Sequence, residues 1–188
     1  MKFESMKKIA PLAERTEGRV SVNFNLKGKL GGDMEPIYNS LNGGGNLTSN
    51  SLKLDGAESF NKIGEVLKIN ALKNPEVKNM NLSFKFINGR VHVQPFDTKV
   101  GPVAANIFGS HGFDGSMDYV MATTVPTSVL GSQVNALMGS LTSAVNGLGA
   151  NVSVGDKIKV DLLITGTTEK PKITPRFGGS NSGGAAVD

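Results

Sequence analysis

The stretch at residues 80–93, MNLSFKFINGRVHV, decides how the rest of the chain is interpreted. Apolar residues alternate with Asn81, Ser83 and Lys85, which is the period of a strand with one buried and one wet face. Asn88-Gly89 then favours a type I′ turn, because both residues tolerate a positive φ angle. A two-residue loop predicts these cross-strand pairs: Ile87 with Arg90, Phe86 with Val91, Lys85 with His92, and Phe84 with Val93. The stretch therefore predicts an antiparallel hairpin with one apolar face.

Composition narrows the class of protein. The chain has 188 residues, 38% of them hydrophobic, with 24 glycines and no tryptophan, which fits one domain of short strands joined by tight turns. The net charge of +4 is scattered without a basic run, so nucleic-acid binding has little support. Cysteine is absent, which excludes disulfides and thiolate metal sites. Without an apolar span or signal peptide, we expect either a cytoplasmic protein or a piece of a longer one.

The remaining periodicity predicts a sheet with several helices. Alternation of apolar and polar residues predicts strands at residues 20–26, 47–54, 94–100, 103–113, 158–164 and 171–176. Helical spacing predicts helices at residues 3–13, 34–41, 57–69 and 127–148, with Asp33 as an N-cap for the second. The predicted fold class is α+β: a curved, mostly antiparallel sheet built from hairpins, with helices packed against it.

A second hairpin is predicted at Asp114-Gly115. A two-residue loop there sets Ser110 against Tyr119, Phe108 against Met121, and Ala104 against Val125. Phe108, Tyr119 and Met121 then share one face. The opposite face, with Ile107, Val120 and Ala122, offers a smoother surface on which helices could pack.

Catalytic and ligand-binding motifs are weak throughout the sequence. His92 and His111 are the only histidines, and neither has a third ligand at metal-like spacing. Asp114 suits its turn, and Asp118 is predicted to face His111 across the ladder. The glycine run at residues 42–45 lacks the Lys-Ser/Thr of a phosphate loop, so a turn or bulge is the better interpretation. We therefore predict a protein that is not an enzyme, with no cofactor and no metal.

Three stretches together carry a family resemblance. They are LNGGGNL at 41–47; the hairpin segment 84–89 followed by FGSHGFDGSMDY at 108–119; and ITGTTEKPKI at 164–173. In this order and spacing the chain resembles the C-terminal domain of the AsmA family over residues 7–173. The predicted domain organisation is a single AsmA-like domain at 1–176 and a disordered Gly/Ser-rich tail at 177–188.

The resemblance implies a place in the Gram-negative envelope. Members of the family are anchored in the inner membrane by an N-terminal helix, are mostly periplasmic, and are thought to form curved β-sheets with an apolar groove that carries phospholipid toward the outer membrane. The family supplies no catalytic residue or cofactor motif. Two departures are the long helix at 127–148 and the missing anchor, which we attribute to truncation of a longer protein.

Two functions from different classes follow. The first is phospholipid binding or transport in outer-membrane biogenesis, with Phe108, Tyr119 and Met121 lining the groove and other envelope proteins as possible partners. The alternative is a structural or interaction module whose sheet edge binds a protein by strand addition. The two differ in whether helices cover every apolar residue on both sheet faces, because complete coverage would leave no groove.

Overall fold

One sheet of nine strands organises the part of the chain that the structure describes. The computed structural model describes residues 16–130 and 156–177. The strands are β1 (Thr16–Gly18), β2 (Ser21–Lys27), β3 (Asn42–Leu54), β4 (Glu76–Ile87), β5 (Arg90–Val100), β6 (Val103–Gly112), β7 (Ser116–Pro126), β8 (Lys157–Thr167) and β9 (Pro171–Phe177). Every strand pair is antiparallel, and the order is β1-β3-β4-β5-β6-β7-β8-β9. β2 also pairs with β3, beyond the end of β1. The fold is therefore largely β.

Helices contribute less to the described part of the chain than the sequence predicts. They are α1 (Glu58–Leu67), the single turn α2 (Thr127–Leu130), and two 3₁₀ turns (Tyr38–Ser40 and Asn70–Leu72). α1 confirms the helix predicted at 57–69. The helix predicted at 3–13, most of that at 127–148, and the tail after residue 177 lie outside the described residues. The α+β class with several helices is thus confirmed only in its sheet and in α1.

The short helix predicted at 34–41 is wrong. Met34 has a φ angle of 63°, outside the right-handed helical region, and Leu30 forms an isolated bridge with Pro36. The Asp33 carboxylate accepts a hydrogen bond from the Glu35 N–H at 3.1 Å, which closes a local turn instead of capping a helix. Only the 3₁₀ turn Tyr38–Ser40 remains of the predicted element.

The first hairpin is confirmed residue for residue. β4 and β5 pair Phe84 with Val93, Lys85 with His92, Phe86 with Val91, and Ile87 with Arg90. Asn88 and Gly89 both have positive φ angles, 48° and 76°, as a type I′ turn requires. Local turn chemistry and side-chain alternation were sufficient to set this register.

The register predicted for the second hairpin is wrong by one residue. β6 and β7 pair Ser110 with Asp118, Phe108 with Val120, and Ala104 with Thr124. The loop has three residues, because Gly115 takes a φ angle of 84° and donates its N–H to the Gly112 carbonyl at 3.0 Å. A slip of one residue exchanges the two faces of a strand. Phe108 and Met121 consequently lie on opposite faces of the sheet.

The core lies between α1 and one face of the sheet. α1 follows β3 almost directly yet contacts β9, at the far end of the strand order, so the sheet has to curve around it. The Lys62 ammonium donates a hydrogen bond to the Pro171 carbonyl at 2.8 Å across this contact. Fully buried members of this core include Ile63, Leu67, Leu72, Val100, Val103, Met121, Val125, Val160 and Leu162. This surface is called the helix-packed face below.

The backbone conformation at the C-terminal end of α1 can be tested by mutation. Lys68 caps the helix in the left-handed conformation, with a φ angle of 57°, where a non-glycine residue costs about 1–2 kcal/mol. We expect Lys68→Gly to raise the free energy of unfolding by about 0.5–1 kcal/mol. Glu65→Gly, inside the same helix and exposed, should lower it by about 1 kcal/mol. Urea denaturation measures both changes, and a loss of stability in Lys68→Gly would contradict this cap.

Candidate functional site

The two faces of the sheet differ in chemistry. The helix-packed face carries apolar side chains on every strand from β2 to β9. The opposite face is mostly polar; on it Asn46 donates a hydrogen bond from its side-chain amide to the Ser83 hydroxyl at 2.8 Å. Lys85 is exposed on this polar face. A candidate site for an apolar ligand therefore has to be sought on the helix-packed face.

One row of residues crosses eight strands on that face. Each member pairs directly with the next through the strand register, so the row runs across the strands. From β2 to β9 its members are Phe24, Gly45, Phe84, Val93, Gly109, Tyr119, Ile164 and Ile173. We call this set the apolar row. It joins residues separated by as many as 149 positions in sequence, so only the folded sheet brings them together.

Coverage of the apolar row decreases from β8 toward β2. Ile164 is 8% exposed and belongs to the core beneath α1. Phe84 and Val93 are half-buried. Phe24, at the β2 end, is 45% exposed, and its neighbour on the same face of β2, Val22, is 49% exposed. Water thus reaches one end of a continuous apolar surface whose other end is packed.

Two members of the apolar row have no side chain. Gly45 lies between Phe24 and Phe84, and Gly109 lies between Val93 and Tyr119. A Cβ atom on Gly45 would lie 2.5 Å from the Phe24 Cβ, and strand backbones approach closely at both positions. The space beside both glycines is therefore filled by the neighbouring strands, and neither position admits a side chain without moving them.

An aromatic cluster borders the apolar row on the side of the first hairpin. The rings of Phe86 and Phe113 stack with centroids 6.2 Å apart, and Tyr38 contacts Phe113 at 4.9 Å. Phe86 is 2% exposed and Leu41 is 4% exposed, so this neighbouring region is closed. Phe84 meets Phe86 edge to face at 5.5 Å, which connects the cluster to the row. The open part of the surface is bounded by this cluster on one side and by the α1 core on the other.

Tyr119 places a polar atom within the apolar row. Its hydroxyl lies 2.8 Å from His111 Nδ1, and the two are joined by a hydrogen bond between stacked rings. Burial raises the pKa of the Tyr119 phenol, so it stays neutral. The predicted pairing of His111 with Asp118 is wrong, because the three-residue loop sets His111 opposite Met117. His111 and Tyr119 thus satisfy each other on an otherwise apolar surface.

The three residues predicted to line a lipid groove are not brought together. Tyr119 lies in the apolar row. Met121 is 1% exposed and belongs to the core under α1. Phe108 is half-buried on the opposite face, where it pairs with Val120. The face predicted for helix packing is also wrong, since α1 packs over Met121 instead of over Val120.

Sequence reasoning did not single out the open end of the row. Phe24 and Val22 alternate with asparagines in a strand that the periodicity predicts correctly, but their exposure depends on β2 being at the sheet edge. The glycine run, predicted as a turn or bulge before a strand at 47–54, is instead part of β3. Gly43, Gly44 and Gly45 pair with β2 on one side and β4 on the other. A run of glycines within a strand is the sequence feature that indicates close packing of the neighbouring strands.

Polar and charged groups gather at the second hairpin and near the β2 end of the sheet. At the second hairpin, hydrogen bonds from the Ser116 hydroxyl and N–H lower the pKa of the Asp114 carboxyl. The Arg90 guanidinium donates to the Ser110 and Ser116 hydroxyls at 3.1 and 2.8 Å.

A polar depression of about 510 Å³ lies near the β2 end of the sheet and is lined by Arg19, Ser21, Thr48, Ser49, Asn50, Asn79, Met80 and Asn81.

Residues 16–130 and 156–177 contain no group of three or more His, Cys, Asp or Glu side chains arranged to hold a metal ion. No helix in these two ranges is long and apolar enough to cross a membrane. Comparisons of the chain with protein-family models, with curated proteins and with solved structures found no match.

Proposed function

We propose that this chain is a non-enzymatic lipid-binding domain whose apolar row holds the acyl chain of a phospholipid or another envelope lipid. The observation that carries the proposal is the exposure of Phe24 and Val22 at one end of a continuous apolar surface. Phe24 and Val22 are neighbours on one face of β2, and a contiguous exposed apolar surface marks a binding site more often than a single exposed apolar residue does. Each methylene that leaves water for this surface contributes about 0.8 kcal/mol.

The dimensions of the row suit an acyl chain. Strands lie about 4.8 Å apart, so the five strands from β2 to β6 along the row span roughly 19 Å. Half of a bilayer's hydrocarbon core, the length that one acyl layer occupies, is about 15 Å. The partly exposed segment from Phe24 to Gly109 is therefore long enough for one extended chain.

The AsmA resemblance supplies the proposed cellular context. On that basis we place the chain in the periplasm of a Gram-negative cell, as part of a longer protein tethered to the inner membrane and acting in outer-membrane biogenesis. The residues that line the lipid in this proposal are Phe24, Phe84, Val93 and Tyr119. Phe108 and Met121, which the sequence suggested, are no longer included. The alternative of a pure interaction module is less favoured, because within residues 16–130 and 156–177 apolar side chains on the helix-packed face are exposed.

A matched pair of variants tests the binding surface. We expect Phe84→Gln to reduce retention of a fluorescent phospholipid at least fivefold, because it replaces an apolar ring in the middle of the partly exposed segment of the row. Lys85→Gln changes the neighbouring residue on the polar face and should leave retention unchanged. Retention is measured after gel filtration of the full chain with phospholipid micelles.

Thermal unfolding of both variants separates binding from folding. Phe84 is half-buried, so Phe84→Gln should still melt cooperatively, at a lower temperature than the parent chain. Equal retention by both variants, with both folded, would contradict the assignment of the apolar row as the lipid surface.

A further inference from the structure

β2 is an edge strand without the usual protection of an edge. Within the described part of the chain it pairs with β3 alone. Natural proteins protect edge strands from pairing with other chains by placing proline and charged residues on them. The edge at β9 follows this rule, with Pro171, Lys172, Pro175 and Arg176. β2, with the sequence SVNFNLK, has no proline and only Lys27 as a charge.

The sequence of β2 is complementary to itself. Phe24 is the midpoint of its seven residues, so an antiparallel copy centred there pairs along the full strand. The pairs are Phe24 with Phe24, Val22 with Leu26, Asn23 with Asn25, and Ser21 with Lys27 of the copy. Apolar residues then meet apolar residues on one face and polar residues meet polar residues on the other. The two Lys27 ammonium groups lie at opposite ends of the ribbon, so no like charges oppose each other.

We propose that two copies of this chain associate through β2, antiparallel around a twofold axis at Phe24. The pairing gives partners to the outward N–H and C=O groups of the edge strand. It also places the exposed Phe24 and Val22 side chains next to apolar side chains of the copy, while the sheet face that they form stays open to a ligand. The interface is isologous, so it closes at a dimer. The apolar rows of the two copies become continuous across the axis, but the dimer does not depend on lipid binding.

The mass of the full chain in solution is the first test. We expect sedimentation equilibrium to give about twice the chain mass of 19.7 kDa, with dissociation on dilution. Phe24→Lys should produce a folded monomer, because two ammonium groups would then face each other across the axis. A parent chain that stays monomeric up to several hundred micromolar overturns the proposal. A Phe24→Lys variant that stays dimeric overturns it as well, because the contact then lies elsewhere.

Cysteine crosslinking tests the register, since the natural chain contains no cysteine. Mixing Val22→Cys with Leu26→Cys should give a disulfide-linked heterodimer under mild oxidation, because the two positions face each other. Val22→Cys alone should crosslink at least tenfold less, since its copies lie about 13 Å apart, four residues along the ribbon. Equal crosslinking by Val22→Cys alone and by the mixture would contradict the twofold axis at Phe24.

Discussion

Replacing Met121 by glutamine is expected to lower the free energy of unfolding by roughly 3–5 kcal/mol. Met121 is 1% exposed and is part of the core that α1 covers. The substitution removes a buried apolar side chain and introduces an amide without a prepared hydrogen-bond partner. The effect is a large fraction of the 5–15 kcal/mol that a domain typically has.

Phe108→Gln is the matched control for this prediction. Phe108 lies on the neighbouring strand but on the opposite face, where it is only half-buried. We expect its replacement to cost about 1–2 kcal/mol, clearly less than the cost at Met121. Urea denaturation followed by circular dichroism measures both. A loss at Phe108 as large as the loss at Met121 would favour the two-residue loop, which puts both side chains on one face, and would contradict the register described here.

Gly109→Ala should strongly destabilise the sheet. Gly109 has a φ angle of 144°, a region that side chains rarely adopt, and an added Cβ would lie 2.6 Å from the Tyr119 Cα and closer still to the Asp118 carbonyl. Both obstacles are backbone atoms of β7, so β6 and β7 would have to separate. We expect a loss of at least about 2 kcal/mol in stability.

Gly32→Ala provides the control for the glycine prediction. An added Cβ at Gly32 meets nothing within 4 Å, so its replacement should change stability by less than about 0.5 kcal/mol. Hydrogen exchange in the Gly109→Ala chain should show faster exchange for the amides of β6 and β7 than in the parent. Unchanged protection in those strands would contradict the close approach at Gly109.

The two hairpins show how far local sequence determines this fold. Asn88-Gly89 satisfies a type I′ turn directly, and the register that follows from it is correct. At Asp114-Gly115 the same reasoning fails, because Ser116 donates two hydrogen bonds to the Asp114 carboxylate and Gly115 alone takes the left-handed conformation. Both loop lengths are compatible with the dipeptide. A change from one loop length to the other moves every side chain beyond the turn to the opposite face of the sheet.

Long-range pairing limits prediction of the site more severely. The apolar row depends on seven successive strand registers, so one slip anywhere reassigns part of its members. Curvature that brings α1 against β9 is a property of the whole sheet and leaves no local pattern. Of the three residues predicted to line a groove, Tyr119 lies in the apolar row, Met121 lies in the core and Phe108 lies on the opposite face. The residues at the open end, Val22 and Phe24, required knowledge of which strand forms the edge.

The most direct measurement is native mass spectrometry of the full chain after expression in the envelope of a Gram-negative host. We predict a fraction of the protein with bound phospholipid, and loss of that fraction in Phe84→Gln but not in Lys85→Gln. Lipid-free protein that also retains no phospholipid after incubation with micelles would contradict the proposal that the apolar row is a lipid-binding surface.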